Sequence, residues 1–138
     1  MGYDLYSQSG EEYRWTQVFW GQVLALAKKY GWEPKGTVIP KDYDSNDWDG
    51  NYWHNSGQTV EPKDAVNLAE ALEKSLDHLP AQEIDIPKVE FLMDPITHLP
   101  KITNWDNIPL ENFFSGQRGR GSLESFIDFC RKGSFEIS

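Results

Sequence analysis

Cysteine is almost absent: Cys130 is the single one in 138 residues. No intramolecular disulfide can form, and a reducing compartment is the expected setting. Long apolar runs are missing too, and the longest fall far short of the ~20 residues a membrane-spanning helix needs. The opening MGYDLYSQSGEEYRW has neither the basic segment nor the apolar stretch of a secretory leader. Met1-Gly2 begins like a myristoyl acceptor, but Tyr3, Asp4 and Tyr6 break that pattern. These absences lead to the expectation of a cytoplasmic protein with no membrane segment. Basic residues are scarce in the middle of the chain, where residues 42–111 carry four Lys/Arg against fifteen Asp/Glu, a net of −11 within a total of −9. Phosphates would be repelled by such a surface, which argues against direct nucleic-acid binding and for a basic protein partner. His54, His78 and His98 stand alone, with no second His or Cys at ligand spacing. No metal site and no cofactor are therefore expected.

What is present is a large apolar payload. Hydrophobic residues make up 38% and aromatics 14%, including six Trp and seven Phe, enough to build a core and to exclude disorder. The length is that of a single domain, residues 1–138. Three segments carry helical periodicity. WTQVFWGQVLALAKKYGW has Thr16 as N-cap, an apolar stripe of Val18, Phe19, Val23, Leu24, Leu26 and Ala27, and Gly31 as the residue that ends it. VEPKDAVNLAEALEKSLDHLP starts at Pro62 and buries Ala65, Leu68, Ala69, Leu72, Leu76 and Leu79, with Asp64 an acid of the first turn. SLESFIDFCRKG is capped by Ser122 and places Leu123, Phe126, Ile127 and Cys130 on one face. GYDLY, TVIP, KVEFLM and the alternating Phe135 and Ile137 suggest short strands. Residues 81–110 carry four prolines, Pro87, Pro95, Pro100 and Pro109, and outside KVEFLM they read as an ordered loop, because Ile96, Leu99, Ile102 and Trp105 are too apolar to remain in water. The expected fold is α+β and mainly helical: three principal helices with short strands or a small hairpin.

The stretches GYDLY, LAKKYGWEPKGT, GNYWHNSGQTV, DAVNLAEALEKSL, FFSG and FIDFCRKGSFEI occur in this order along the whole chain. In them the sequence resembles a group of uncharacterised bacterial proteins, a hypothetical-protein family with a domain of unknown function. The likeness covers about half of the chain and leaves out residues 84–107. It implies a bacterial cytoplasmic protein and carries no activity with it.

Three segments could hold a site. In DYDSNDWDGNYW, Asp42, Asp44 and Asn46 match the start of a calcium loop. Asp47 replaces the turn glycine and Trp53 the bidentate glutamate, so the motif fails. Asp42, Asp44, Asp47 and Asp49 remain as an acidic segment with Trp48 as an apolar anchor for a partner. In GNYWHNSGQTV, the ring of Trp53 lies beside the polar groups of His54, Asn55 and Gln58, a mixture suited to a polar small molecule. The competing reading is a hairpin of NYW and QTV joined by HNSG, its aromatics covering the core. SGQRGRGS has the glycine spacing of a phosphate loop at Gly116 and Gly121, but Ser122 stands where lysine is required. There, Arg118, Arg120, Gly121 and Ser122 could hold an anion at a helix start. No catalytic constellation is evident, and Cys130 reads as an inert core thiol. The leading expectation is a non-enzymatic acidic protein that binds a basic protein partner. The alternative is a small-molecule-binding domain using residues 51–58.

Overall fold

Alternation along the first strand fixes the orientation of the sheet. Tyr3, Leu5 and Ser7 are buried, and the residues between them turn away. The computed structural model describes residues 2–44, 46–105 and 107–138. Met1, part of the acyl-acceptor opening set aside above, lies outside them, as do Ser45 and Asp106. Along the chain come β1 (Gly2–Ser7), β2 (Glu12–Thr16), α1 (Gln17–Lys29), β3 (Gln58–Val60), α2 (Pro62–Ser75), β4 (Phe91–Met93), β5 (Pro100–Ile102), α3 (Gly116–Arg131) and β6 (Phe135–Ile137). Short 3-10 turns occupy Leu76–His78 and Leu110–Phe114.

The protein is a mixed α+β fold. Its main sheet is antiparallel in the order β2-β1-β6-β3, broader than the short strands or small hairpin expected, and β4 and β5 form a separate two-stranded sheet. The three helices share one core with the inward residues of the main sheet. Trp15 of β2 meets Phe126 of α3 edge to face at 5.5 Å, Phe126 meets Phe135 of β6 at 6.3 Å, and Tyr3 of β1 meets Trp20 of α1 at 5.8 Å. Such pairs add to the area they bury.

The termini of α1 are set locally, as the sequence foretells. Thr16 Oγ1 accepts from the Phe19 amide at 3.2 Å. At the other end Gly31 takes φ +106, the Trp32 amide reaches back to the Ala27 carbonyl at 2.9 Å and the Gly31 amide to Lys28 at 3.2 Å. That is a Schellman closure, which needs a left-handed residue. Trp20, absent from the expected stripe, is fully buried. Helix α2 begins at Pro62 as expected but stops at Ser75, so Leu76 and Leu79 lie beyond it and are only partly buried. Below the end of α1, Glu111 accepts from Lys29 Nζ at 2.6 Å and Tyr30 Oη at 2.5 Å. Burial works against the Glu111 carboxylate, but those two hydrogen bonds, a backbone hydrogen bond and the Lys29 charge together hold its pKa below the ordinary value.

Cys130 is fully buried on α3 among the residues expected beside it. Burial, and then the nearby Asp64, push its thiol well above the ordinary value. A maleimide or disulfide reagent is therefore expected to label Cys130 slowly in the native protein and at the rate of a free thiol in denaturant. Equal rates in both states would place the thiol at the surface.

Candidate functional site

The acidic segment is a loop closed at a narrow neck. Gly36 and Gly50 both have positive φ, +92 and +77, and a side chain built on Gly50 would come within 3.4 Å of the Gly36 Cα. The strands of the neck touch through the Thr37 amide and the Gly50 carbonyl at 3.0 Å, and through Thr37 Oγ1 and the Asn51 carbonyl at 2.6 Å. Asp42, Asp44, Asp47 and Asp49 are all exposed on it. Two of them serve the backbone: Asp44 accepts from the Asn46 amide, and Asp49 from the Asn51 amide. The hydrogen bond from the Asn51 side chain holds the Asp49 carboxyl below its ordinary pKa. Trp48 is not the exposed anchor expected. It is half-buried, donates from Nε1 to the Thr37 carbonyl at 3.1 Å, and packs edge to face on Tyr43 at 5.1 Å and on His54 at 5.7 Å. Its ring holds the loop together.

The NYW–QTV hairpin does not form, because β3 has no free edge for it. One edge of β3 pairs with β6, and the other meets Val38 through a bridge at Thr59. The carbonyls of residues 52 and 53 are instead claimed by core side chains, Tyr52 by Trp20 Nε1 at 2.8 Å and Trp53 by Tyr3 Oη at 2.7 Å. Nor do the four expected ligand residues converge. Trp53 is 53% exposed, and His54 and Asn55 are exposed on the turn. Gln58 is completely buried, donating to the His54 carbonyl and accepting from the Ser56 amide at 3.0 Å. It braces the turn and, completely buried, is not presented to a ligand.

Beneath this segment lies a carboxylate that the sequence shows only as an acid in the first turn of a helix. Asp64 is fully buried. It accepts from Trp32 Nε1 at 2.9 Å and from the hydroxyl of Tyr52, which itself accepts from the Gly36 amide at 3.0 Å. Burial first, then this partner, pushes the Tyr52 hydroxyl far above its ordinary pKa. The arrangement fastens the loop neck, the end of α1 and the start of α2 to one point.

The residues expected to hold an anion sit differently from the expected loop. Helix α3 begins at Gly116, so Arg118, Arg120, Gly121 and Ser122 lie inside it and not in a loop before it. Amides of Gly121 and Ser122 belong to the helix ladder. Ser122 Oγ turns back to the Arg118 carbonyl at 3.1 Å, and Arg120 contacts the Leu76 carbonyl and Glu124. The earlier start follows from close packing: a Cβ on Gly119 would lie 2.3 Å from the carbonyl carbon of Phe114.

Two surface features go beyond the sequence expectations, which held only a short strand in KVEFLM. The first is the β4–β5 hairpin, registered by Phe91 opposite Ile102 and Met93 opposite Pro100. Its tip is ordered: Asp94 Oδ1 accepts from the Ile96 amide at 2.8 Å, and the Asp94 amide donates to the Leu99 carbonyl at 2.9 Å. Five large apolar residues on it are exposed: Phe91 56%, Leu92 65%, Met93 58%, Ile96 87% and Leu99 64%. The expectation that Ile96 and Leu99 would leave water fails, because the hairpin stands away from the core and only its base, Ile86 and Trp105, packs there. Phe91 and Ile102 share a groove of about 710 Å³ with Trp53 and the Val18 and Gly21 face of α1.

The second is a cleft of about 550 Å³ between the end of β2, the start of α1, residues 83–86 and α3. Trp15 is part of its wall, and its buried indole N–H has no acceptor among the described residues. A buried donor left unpaired costs ~1–3 kcal/mol.

Among the described residues, no three or more His, Cys, Asp or Glu side chains gather to hold a metal ion, and no helix is long and apolar enough to cross a membrane. Comparison with family models, curated proteins and solved structures returned no match.

Proposed function

We propose that the protein acts by binding another protein, one with a basic rim around an apolar patch, through the β4–β5 hairpin and the adjoining acidic loop. The observation that carries this reading is the exposure of five large apolar side chains on an ordered hairpin. Large apolar side chains concentrated on one ordered hairpin are costly to leave in water and mark interaction sites. Charge supplies the partner's character. Trp53 lines the groove with Phe91, and His54 next to it packs on Trp48 of the loop bearing Asp42, Asp44, Asp47 and Asp49. An apolar centre flanked by negative charge complements a basic partner, and the net −9 opposes pairing between two copies of this chain. The reading is non-catalytic, with the aspartates steering approach and the hairpin supplying the contact. The bacterial cytoplasmic setting implied by the family resemblance belongs with this proposal.

A photo-reactive residue at position 92, used in cells of the source organism, tests it by identifying what touches the hairpin. The expected product is a crosslink to one basic protein. With that protein purified, Leu92→Ser, Ile96→Ser and Leu99→Ser together should weaken binding by more than about tenfold while leaving the melting temperature unchanged, because these side chains are exposed. Converting the four aspartates to Asn should slow association mainly at low salt. A crosslink only to a second copy of the chain, or an association rate indifferent to salt, would overturn the reading.

A further inference from the structure

The cleft beside Trp15 is separate from the proposed docking surface and has a chemistry of its own. Ser115, Arg118, Gly119 and Ser122 all line it. Their spacing places them on one face of α3, so Arg118 stands on the cleft side of the helix. Among the described residues Arg118 has no carboxylate within ion-pair distance, although Glu83 and Asp85 line the same cleft. Between the charges the wall is aromatic, formed by Trp15, Phe19, Phe113 and Phe114. The volume is that of a small-molecule site. Arg14, also at the rim, is engaged with Asp4 at 3.4 Å. Among the described residues this leaves the Arg118 guanidinium as the available cation and Glu83 and Asp85 as available anions.

We infer that this cleft binds a small zwitterion with an apolar body, the chemistry shared by a free apolar amino acid and a short apolar peptide. The ligand carboxylate pairs with Arg118, for which a planar guanidinium offers two parallel N–H donors. Its ammonium faces Glu83 and Asp85, and its apolar part lies on the aromatic wall. A polyphosphate is disfavoured, because the two carboxylates would face it.

Isothermal titration of the whole protein with four probes decides the matter: L-phenylalanine, the dipeptide of two phenylalanines, 3-phenylpropionate, which lacks the amine, and phenethylamine, which lacks the carboxylate. The expected result is binding of the amino acid or the dipeptide, with both single-charge analogues weaker by about tenfold or more, as loss of one charge-assisted contact implies. Stronger binding by the dipeptide names the peptide as the source, and stronger binding by phenylalanine names the free amino acid. Arg118→Gln and Asp85→Asn should each weaken the preferred zwitterion by a similar factor without lowering the melting temperature of the free protein, since both side chains are exposed. Equal affinity for all four probes would reduce the cleft to an apolar crevice. No binding of either zwitterion at about 10 mM, a concentration at which even very weak specific sites fill, would overturn the inference outright. Neither failure touches the hairpin proposal, which is read by crosslinking at position 92.

Discussion

Replacing Asp64 with alanine is expected to destabilise the protein by about 3–5 kcal/mol, because two buried donors lose their acceptor at once. Trp32 Nε1 and the Tyr52 hydroxyl both point at this carboxylate, and no part of it is exposed to water. For a domain of this length the melting temperature should fall by on the order of 10–15 °C. Asp64→Asn keeps one acceptor oxygen and should lie between alanine and the native residue. Tyr52→Phe removes one donor while leaving the carboxylate in place, so it separates the two bonds. Urea unfolding followed by tryptophan emission measures all three. Because the loop neck depends on the same hydroxyl through the Gly36 amide, Tyr52→Phe should also speed amide exchange in residues 36–50. An alanine variant within about 1 kcal/mol of the native protein would show that the buried acid contributes no more than an ordinary hydrogen bond.

A second pair of substitutions on one helix should give opposite signs. Gly119→Ala is expected to cost about 2–3 kcal/mol, the range of an overpacked interior position. Its new methyl would meet the Phe114 carbonyl carbon and oxygen at 2.3 and 2.5 Å, and backbone cannot swing aside as a flexible side chain can. Gly121→Ala, two residues on, meets nothing within 4 Å and should stabilise by about 0.5–1 kcal/mol through helix propensity alone. Thermal unfolding of the two single variants is sufficient. If both stabilise, the turn at Leu110–Phe114 does not lie against α3, and the cleft loses that wall.

Local chemistry determined the parts of this protein that the sequence made legible. Thr16 at one end of α1 and Gly31 at the other act on residues at most five positions away, so their roles can be read without the fold. The buried stripes of α1 and α2, and Cys130 with its neighbours on α3, follow from helical spacing in the same way. Asp64 could not be read, because an acid in the first turn of a helix is ordinary. Only the fold brings Trp32 and Tyr52, 32 and 12 residues away, into contact with it. Gln58 was taken for a ligand group for a related reason. A polar strand residue beside Thr59 shows no sign of being sealed inside until the sheet turns the face of β3 that carries Gln58 and Val60 toward the core. The start of α3 was misplaced because glycines before an apolar stripe signal a loop, whereas here Gly119 is the residue that permits a helix to pass the Phe114 backbone. The hairpin reversed another local rule. Ile96 and Leu99 are apolar enough to seek burial, yet their turn is satisfied within itself by Asp94 and stands beyond the reach of the core. Side-chain type and spacing determined the helices and most of the core. Long-range packing decided which polar groups were sealed in, which apolar ones were left out, and therefore where this protein can bind, because those outcomes depend on neighbours that no local stretch contains.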